Sequence, residues 1–186
     1  LGHHVGRKIR TYPKDSGLST YLEIVQEPAV EALGLDLLRR LGFVGPIKID
    51  FKRDAARGRY FILEFNPRFT LWNYLAARSG LNFPLIVYQD LTGQRPAPAT
   101  CAPGLRWLAF DNDLRAFLKC YRPAGDLTLG RWLRSLAAPK VYDVFAWDDP
   151  YPFLVSTYQY TQHLARRFRR SAAQGMQPAA PRMDPQ

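Results

Sequence analysis

The chain has 186 residues, with 26 lysines and arginines against 16 aspartates and glutamates, for a formal net charge of +10 at pH 7. A hydrophobic content of 47% is that of a soluble globular protein with one sizeable core, and no apolar run approaches the roughly 20 residues that a membrane helix needs. Cys101 and Cys120 are the only cysteines; they lack zinc or redox spacing, which predicts a reducing, cytoplasmic setting. His3, His4 and His163 form no ligand motif, so imidazole-based metal binding is not expected.

In chain order, Val5, Ile9 and Thr11 alternate with Gly6, Lys8 and Arg10, predicting a strand with one basic face. Residues 13–20 read as a loop, and 21–25 as a short strand. A helix is predicted over 28–41: Pro28 suits its first turn, Val30, Leu33, Leu37, Leu38 and Leu41 form its stripe, and Gly42 stops it. Next come a strand at 47–52, a turn at 53–58 and a second strand at 59–66. Helices are expected at 71–79 and 83–91, the latter ended by Gly93. Residues 95–104 are rich in Pro and Ala and read as a linker. Beyond it come a strand at 106–110, a helix at 114–121, a helix capped by Thr128, a strand at 141–147 and a helix at 151–168. These elements predict an α+β fold, an antiparallel sheet with packed helices over 1–94. A small α/β appendix over 105–168 and a disordered tail at 169–186 complete it.

The most informative stretch is the predicted hairpin. In Ile47-Lys48-Ile49-Asp50-Phe51-Lys52 the polar residues share one face. In 59–66, strict alternation groups Tyr60, Ile62, Glu64 and Asn66. Pairing the two runs sets Asp50 and Glu64 on one face of neighbouring strands, where like charges repel. Two carboxylates with an amide oxygen form a hard-oxygen set suited to Mg²⁺, which is commonly completed by phosphates. Solvated charges on the outer face of an ordinary hairpin would give the same alternation. Convergence speaks for a ligand: Pro67 ends the strand, and Glu64, Asn66 and Arg68 meet at its mouth.

Residues 42–69, GFVGPIKIDFKRDAARGRYFILEFNPRF, resemble the metal-binding segment of the ATP-grasp superfamily. The family pattern is an acidic residue on one strand, a variable turn, then Glu-x-Asn-x-Arg, here Asp50 and Glu64-Phe65-Asn66-Pro67-Arg68. The run from Gly6 to Arg10 with Pro13, and Gly80-Leu81-Asn82-Phe83-Pro84 downstream, also fit. The resemblance covers 4–95 most specifically and extends over 104–160, towards D-aspartate ligases and carbamoyl-phosphate-synthase-like proteins. It implies that 1–94 is the C-terminal subdomain of an ATP-grasp core. It further implies ATP and Mg²⁺ (or Mn²⁺) as cofactors, with Asp50, Glu64 and Asn66 as metal ligands. Arg68 would be the catalytic group stabilising charge on the transferred phosphoryl, and Lys48 and Arg10 would contact phosphate. The implied reaction joins a small carboxylate to an amine (or thiol) through an acyl phosphate. The lysine-bearing half of such an enzyme has no counterpart here, so a missing N-terminal half is an expected partner and the chain is expected to be inactive alone.

Two other classes stay open. One is a non-catalytic remnant that binds a partner chain or, weakly, a nucleotide. The other is a basic nucleic-acid-binding module, suggested by the charge and by Arg166, Arg167, Arg169 and Arg170. No aromatic-and-glycine recognition motif accompanies these arginines, so nucleic acid is not the expected partner, and excess positive charge equally suits a polyanionic nucleotide.

Overall fold

The computed structural model describes residues 1–159, 161 and 162. The chain divides into two units, Leu1–Asp143 and Val144–Gln186.

In the first unit, β1 (Val5–Tyr12) and β2 (Leu18–Val25) pair antiparallel. β2 begins three residues before the expected strand, because pairing with β1 draws Leu18 and Ser19 into the ladder, with Thr20 unpaired between Ser19 and Tyr21. The connecting turn is closed by the Gly17 amide, which donates to the Pro13 carbonyl at 2.9 Å. A Cβ at Gly17 would stand 2.0 Å from the Tyr12 carbonyl carbon, so the turn admits only glycine there.

The β1–β2 ladder is irregular. Lys8 pairs with Leu22 but Arg10 pairs with Tyr21, so Ile9 is one residue too many on β1. A bulge of this kind reverses the facing of the residues beyond it. Lys8 therefore shares the face of Leu22, and Arg10 leaves with Tyr21 on the other. The single basic face expected for this strand is divided.

β5 (Arg106–Leu108) pairs antiparallel with β2, and β6 (Lys140–Tyr142) pairs parallel with β5, giving the order β1-β2-β5-β6. The sheet is thus mixed rather than antiparallel throughout. The crossover between β5 and β6 carries α4 (Phe110–Ala116), a π-helical turn at Phe117–Tyr121 and α5 (Leu129–Ser135). A parallel pair needs such a crossover. Since β5 completes the sheet of β1 and β2, residues 105–143 do not form the separate appendix expected for them. Thr128 caps α5 as expected, accepting from the Arg131 amide at 3.3 Å.

The core on this sheet comprises Leu22, Ile24, Leu75, Trp107 and Ala109, with Trp72, Cys101, Leu105 and Val141 packed against it. Leu75 comes from α2 (Asn73–Arg78), which is followed by α3 (Phe83–Leu91). Asn82 caps α3 by accepting from the Leu85 amide at 3.1 Å.

α1 (Pro28–Leu41) has the predicted ends, with Pro28 in its first turn and Gly42 in the left-handed conformation at φ 61°. The amides of Gly42 and Phe43 return to the carbonyls of Arg39 and Leu38. No residue of α1 is buried, despite its apolar stripe. β3 (Lys48–Asp54) and β4 (Arg59–Asn66) form a two-stranded sheet of their own. The Phe51 ring lies 3.8 Å from where a Cβ on Gly34 of α1 would sit, so the face of Phe51 is directed at α1.

In the second unit, residues 151–159 are helical, and Phe145 makes edge-to-face contacts with Trp147 and Phe153 at 4.8 and 5.5 Å. The remainder of the helix expected at 151–168, the expected tail at 169–186 and the arginine cluster at 166–170 lie outside the described residues. Among the described residues, no helix is long and apolar enough to cross a membrane.

Candidate metal and phosphate site

The hairpin turn is fixed by Asp54. Its carboxylate accepts from the amides of Ala56 and Arg57 at 2.9 and 3.2 Å and from the Arg57 guanidinium at 2.9 Å. The Gly58 amide closes the turn on the Asp54 carbonyl at 2.8 Å. This anchoring sets the register: Lys48 opposite Asn66, Ile49 opposite Phe65, Asp50 opposite Glu64. Directly paired residues point to one side, so Lys48, Asp50, Glu64 and Asn66 share a face.

Beyond Asp50 the register shifts, and Phe51 stands opposite Ile62. β4 therefore carries an extra residue at Leu63, and strict alternation fails there. Tyr60 and Ile62, expected on the face of Glu64, lie instead with Phe51 on the opposite face. The bulge takes Tyr60 and Ile62 off the polar face and brings Phe61, opposite Lys52, onto it.

Asp50 is held from two sides. Lys48 Nζ lies 2.5 Å from Oδ2, and Lys8 Nζ, from β1, lies 3.2 Å from Oδ1. Burial raises the Asp50 carboxyl. The Lys48 hydrogen bond and the charges of Lys8 and Lys48 outweigh it, and the group ends below the usual carboxylate range. Glu64 is exposed and forms no ion pair among the described residues. Asn66 is buried to 8% exposure at the end of β4. Arg68 is exposed, donating through Nη1 to the Phe69 carbonyl at 3.2 Å, and no described carboxylate pairs with it. Its guanidinium is available to an anionic ligand.

Arg10 does not reach this face. The bulge at Ile9 turns it to the opposite side of the sheet, where its guanidinium stacks 4.5 Å from the Tyr21 ring. There Nε and Nη2 donate to the two oxygens of Asp113 at 2.7 and 2.8 Å, and Nη1 donates to Ser135 Oγ at 3.0 Å. Asp113 is fully buried and also accepts from Thr20 Oγ1 and Trp132 Nε1, both at 2.9 Å. Four donors satisfy the carboxylate, and a buried pair so completed is a structural tie between β1, β2, α4 and α5. Arg10 is thereby committed to the fold. Lys8 occupies the basic position at the site instead. It lay on the basic side of the alternation in 5–11, but nothing local distinguished it from Arg10.

Glu23, on the Arg10 side, is held by Arg7 and by Arg106, whose Nε donates at 3.0 Å. Near the first strand, His4 packs between Trp72 and Phe83 at 5.7 and 5.5 Å, with its buried Nδ1 unpartnered among the described residues. Burial, reinforced by the charge of His3, lowers its pKa to about 4, so it is neutral at pH 7.

Among the described residues no group of three or more His, Cys, Asp or Glu side chains is placed to hold a metal ion. A cation at this hairpin would rest on Asp50, Glu64 and the Asn66 carbonyl oxygen, its remaining positions filled by water or phosphate. That is the donor set Mg²⁺ takes in nucleotide sites, and the adjacent ammonium groups suit the phosphates. Comparison with protein-family models finds no match, and comparison with curated proteins finds none.

Proposed function

We propose that this chain supplies the metal- and phosphate-binding half of an ATP-dependent carboxylate–amine ligase of the ATP-grasp type. The observation that carries the reading is the direct opposition of Asp50 and Glu64 on β3 and β4, with Asn66 on the same face. In this role Asp50, Glu64 and Asn66 hold Mg²⁺ or Mn²⁺ against the phosphates of ATP. The cation's chemistry is to neutralise charge on the transferring phosphoryl group. Arg68 donates to that group's oxygens, an interaction strongest as charge develops. Lys48, joined by Lys8, binds phosphate. The acceptor is a small carboxylate, and the acyl phosphate formed is consumed by an amine.

The adenine- and lysine-bearing half then belongs to polypeptide other than residues 1–186. Phe61, Leu63 and Phe65 on β4 are 49, 62 and 41% exposed, which supports a protein partner beside the hairpin. Hydroxylamine trapping tests the reaction. The chain combined with that other half should convert carboxylate and ATP to a hydroxamate, and Glu64→Gln should abolish the product. A hydroxamate yield unaffected by Glu64→Gln would refute the assignment.

A further inference from the structure

Asp50 has one ammonium group on each carboxylate oxygen, Lys48 on Oδ2 and Lys8 on Oδ1. The two lysines come from different sheets, and the carboxylate between them is largely buried, its side chain 13% exposed. A divalent cation cannot take an oxygen of Asp50 while both are occupied by ammonium groups, because the cation and the ammonium repel each other and compete for the same lone pairs. A phosphate group likewise cannot gain the full charge of Lys8 and Lys48 while Asp50 holds them. Each ligand alone must break an ion pair and leave one member uncompensated, which is costly in a half-buried site.

We propose that Asp50 is an exchangeable counter-ion. A divalent cation replaces the two ammonium groups on Asp50 as Lys8 and Lys48 pass to the phosphates of a polyphosphate ligand. Asp50 and the two ammonium groups then have partners before and after, and only the pairing changes. The cation and the polyphosphate are consequently bound together with positive coupling and poorly apart, and the coupling is reciprocal. Lys8, 39% exposed and at the longer distance, is the first to move, and Lys48, 21% exposed, the second. The choice of cation and polyphosphate as the two ligands rests on the ligase reading, whereas the exchange itself rests on the Lys8–Asp50–Lys48 geometry.

Calorimetry on the 186-residue chain tests it, with inorganic triphosphate in the absence of metal and Mn²⁺ in the absence of phosphate as separate probes. Asp50→Asn frees both lysines, so its affinity for metal-free triphosphate should rise about tenfold over wild type, the scale of a partly buried ion pair. The double variant Lys8→Met, Lys48→Met frees the carboxylate, so its affinity for Mn²⁺ alone should rise about tenfold. The change of local charge alone also favours each ligand, so the control is Glu64→Gln, which removes a charge from the same face without freeing a lysine. It should raise triphosphate affinity less than Asp50→Asn, and an equal rise overturns the exchange. Absence of either rise overturns the exchange, even where hydroxamate is formed. Both rises with no hydroxamate would uphold the exchange and count against the ligase reading alone.

Discussion

Lys8 and Arg10 are two residues apart on one strand and leave the sheet on opposite faces, because Ile9 is inserted between them as a bulge. One cation goes to the hairpin carboxylate Asp50, the other to the buried carboxylate Asp113. The bulge thus separates a site charge from a structural charge along a short stretch of chain. The two pairs have different expected responses to mutation.

Asp113→Asn leaves the Arg10 guanidinium buried without a counter-charge. Breaking such a pair from one side costs about 3–5 kcal/mol. Urea unfolding should show a loss of that size, with Thr20→Val, which removes one of four donors, costing about 1 kcal/mol. A loss below about 1 kcal/mol for Asp113→Asn would mean that water replaces the missing charge.

His4 makes stability depend on pH above the range where carboxylates titrate. Its pKa falls from 6.5 to about 4 on folding, so the unfolded chain takes up a proton below pH 6.5 that the folded chain refuses. The stabilisation is complete above 6.5, declines as pH falls towards 4 and is then exhausted. The interval between the two values corresponds to roughly 3 kcal/mol at most. His4→Phe should flatten the stability profile between pH 6.5 and 4. A profile with the same slope in both proteins would place the titrating group elsewhere.

Gly6 lies under the Trp72 ring, and a Cβ there would stand 2.6 Å from Trp72 Cζ3. Gly6→Ala must displace the indole from the core, at about 1–3 kcal/mol. Trp72→Leu should relieve most of that penalty in the double variant, giving a coupling of about 1 kcal/mol or more. Additive losses would show that the strain lies in the backbone.

The Asp50 carboxyl sits below its ordinary range; burial opposes the shift, while Lys48 and Lys8 drive it. With its folded pKa depressed, Asp50 contributes stability that is present above its unfolded pKa and is lost as pH falls through the folded value. Lys8→Met should move its titration upward in a carboxyl-carbon NMR experiment. An unmoved midpoint would show that Lys8 does not hold Asp50 in solution.

Local chemistry made part of this structure legible. Pro28 and Gly42 mark both ends of α1, and Thr128 acts as a cap, because these features depend on the residues beside them. The hairpin and the opposition of Asp50 to Glu64 could be read from alternation. The bulges at Ile9 and Leu63 could not, since an inserted residue leaves no mark in composition and is set by what the strand packs against. They account for the misplacement of Arg10, Tyr60 and Ile62. The partnership of Arg10 with Asp113 spans 103 positions and has no local signature. β5 and β6 are three residues each, too short for a period to show, so the place of 105–143 in the first unit was hidden.

The most direct test of a cation on the hairpin is paramagnetic broadening of amide resonances by Mn²⁺ in the presence of ATP. The expected result is broadening centred on Asp50, Glu64 and Asn66, with the turn at Asp54–Gly58 less affected and the effect lost in Glu64→Gln. Broadening centred elsewhere, or unchanged by Glu64→Gln, would contradict the assignment of the metal to this pair.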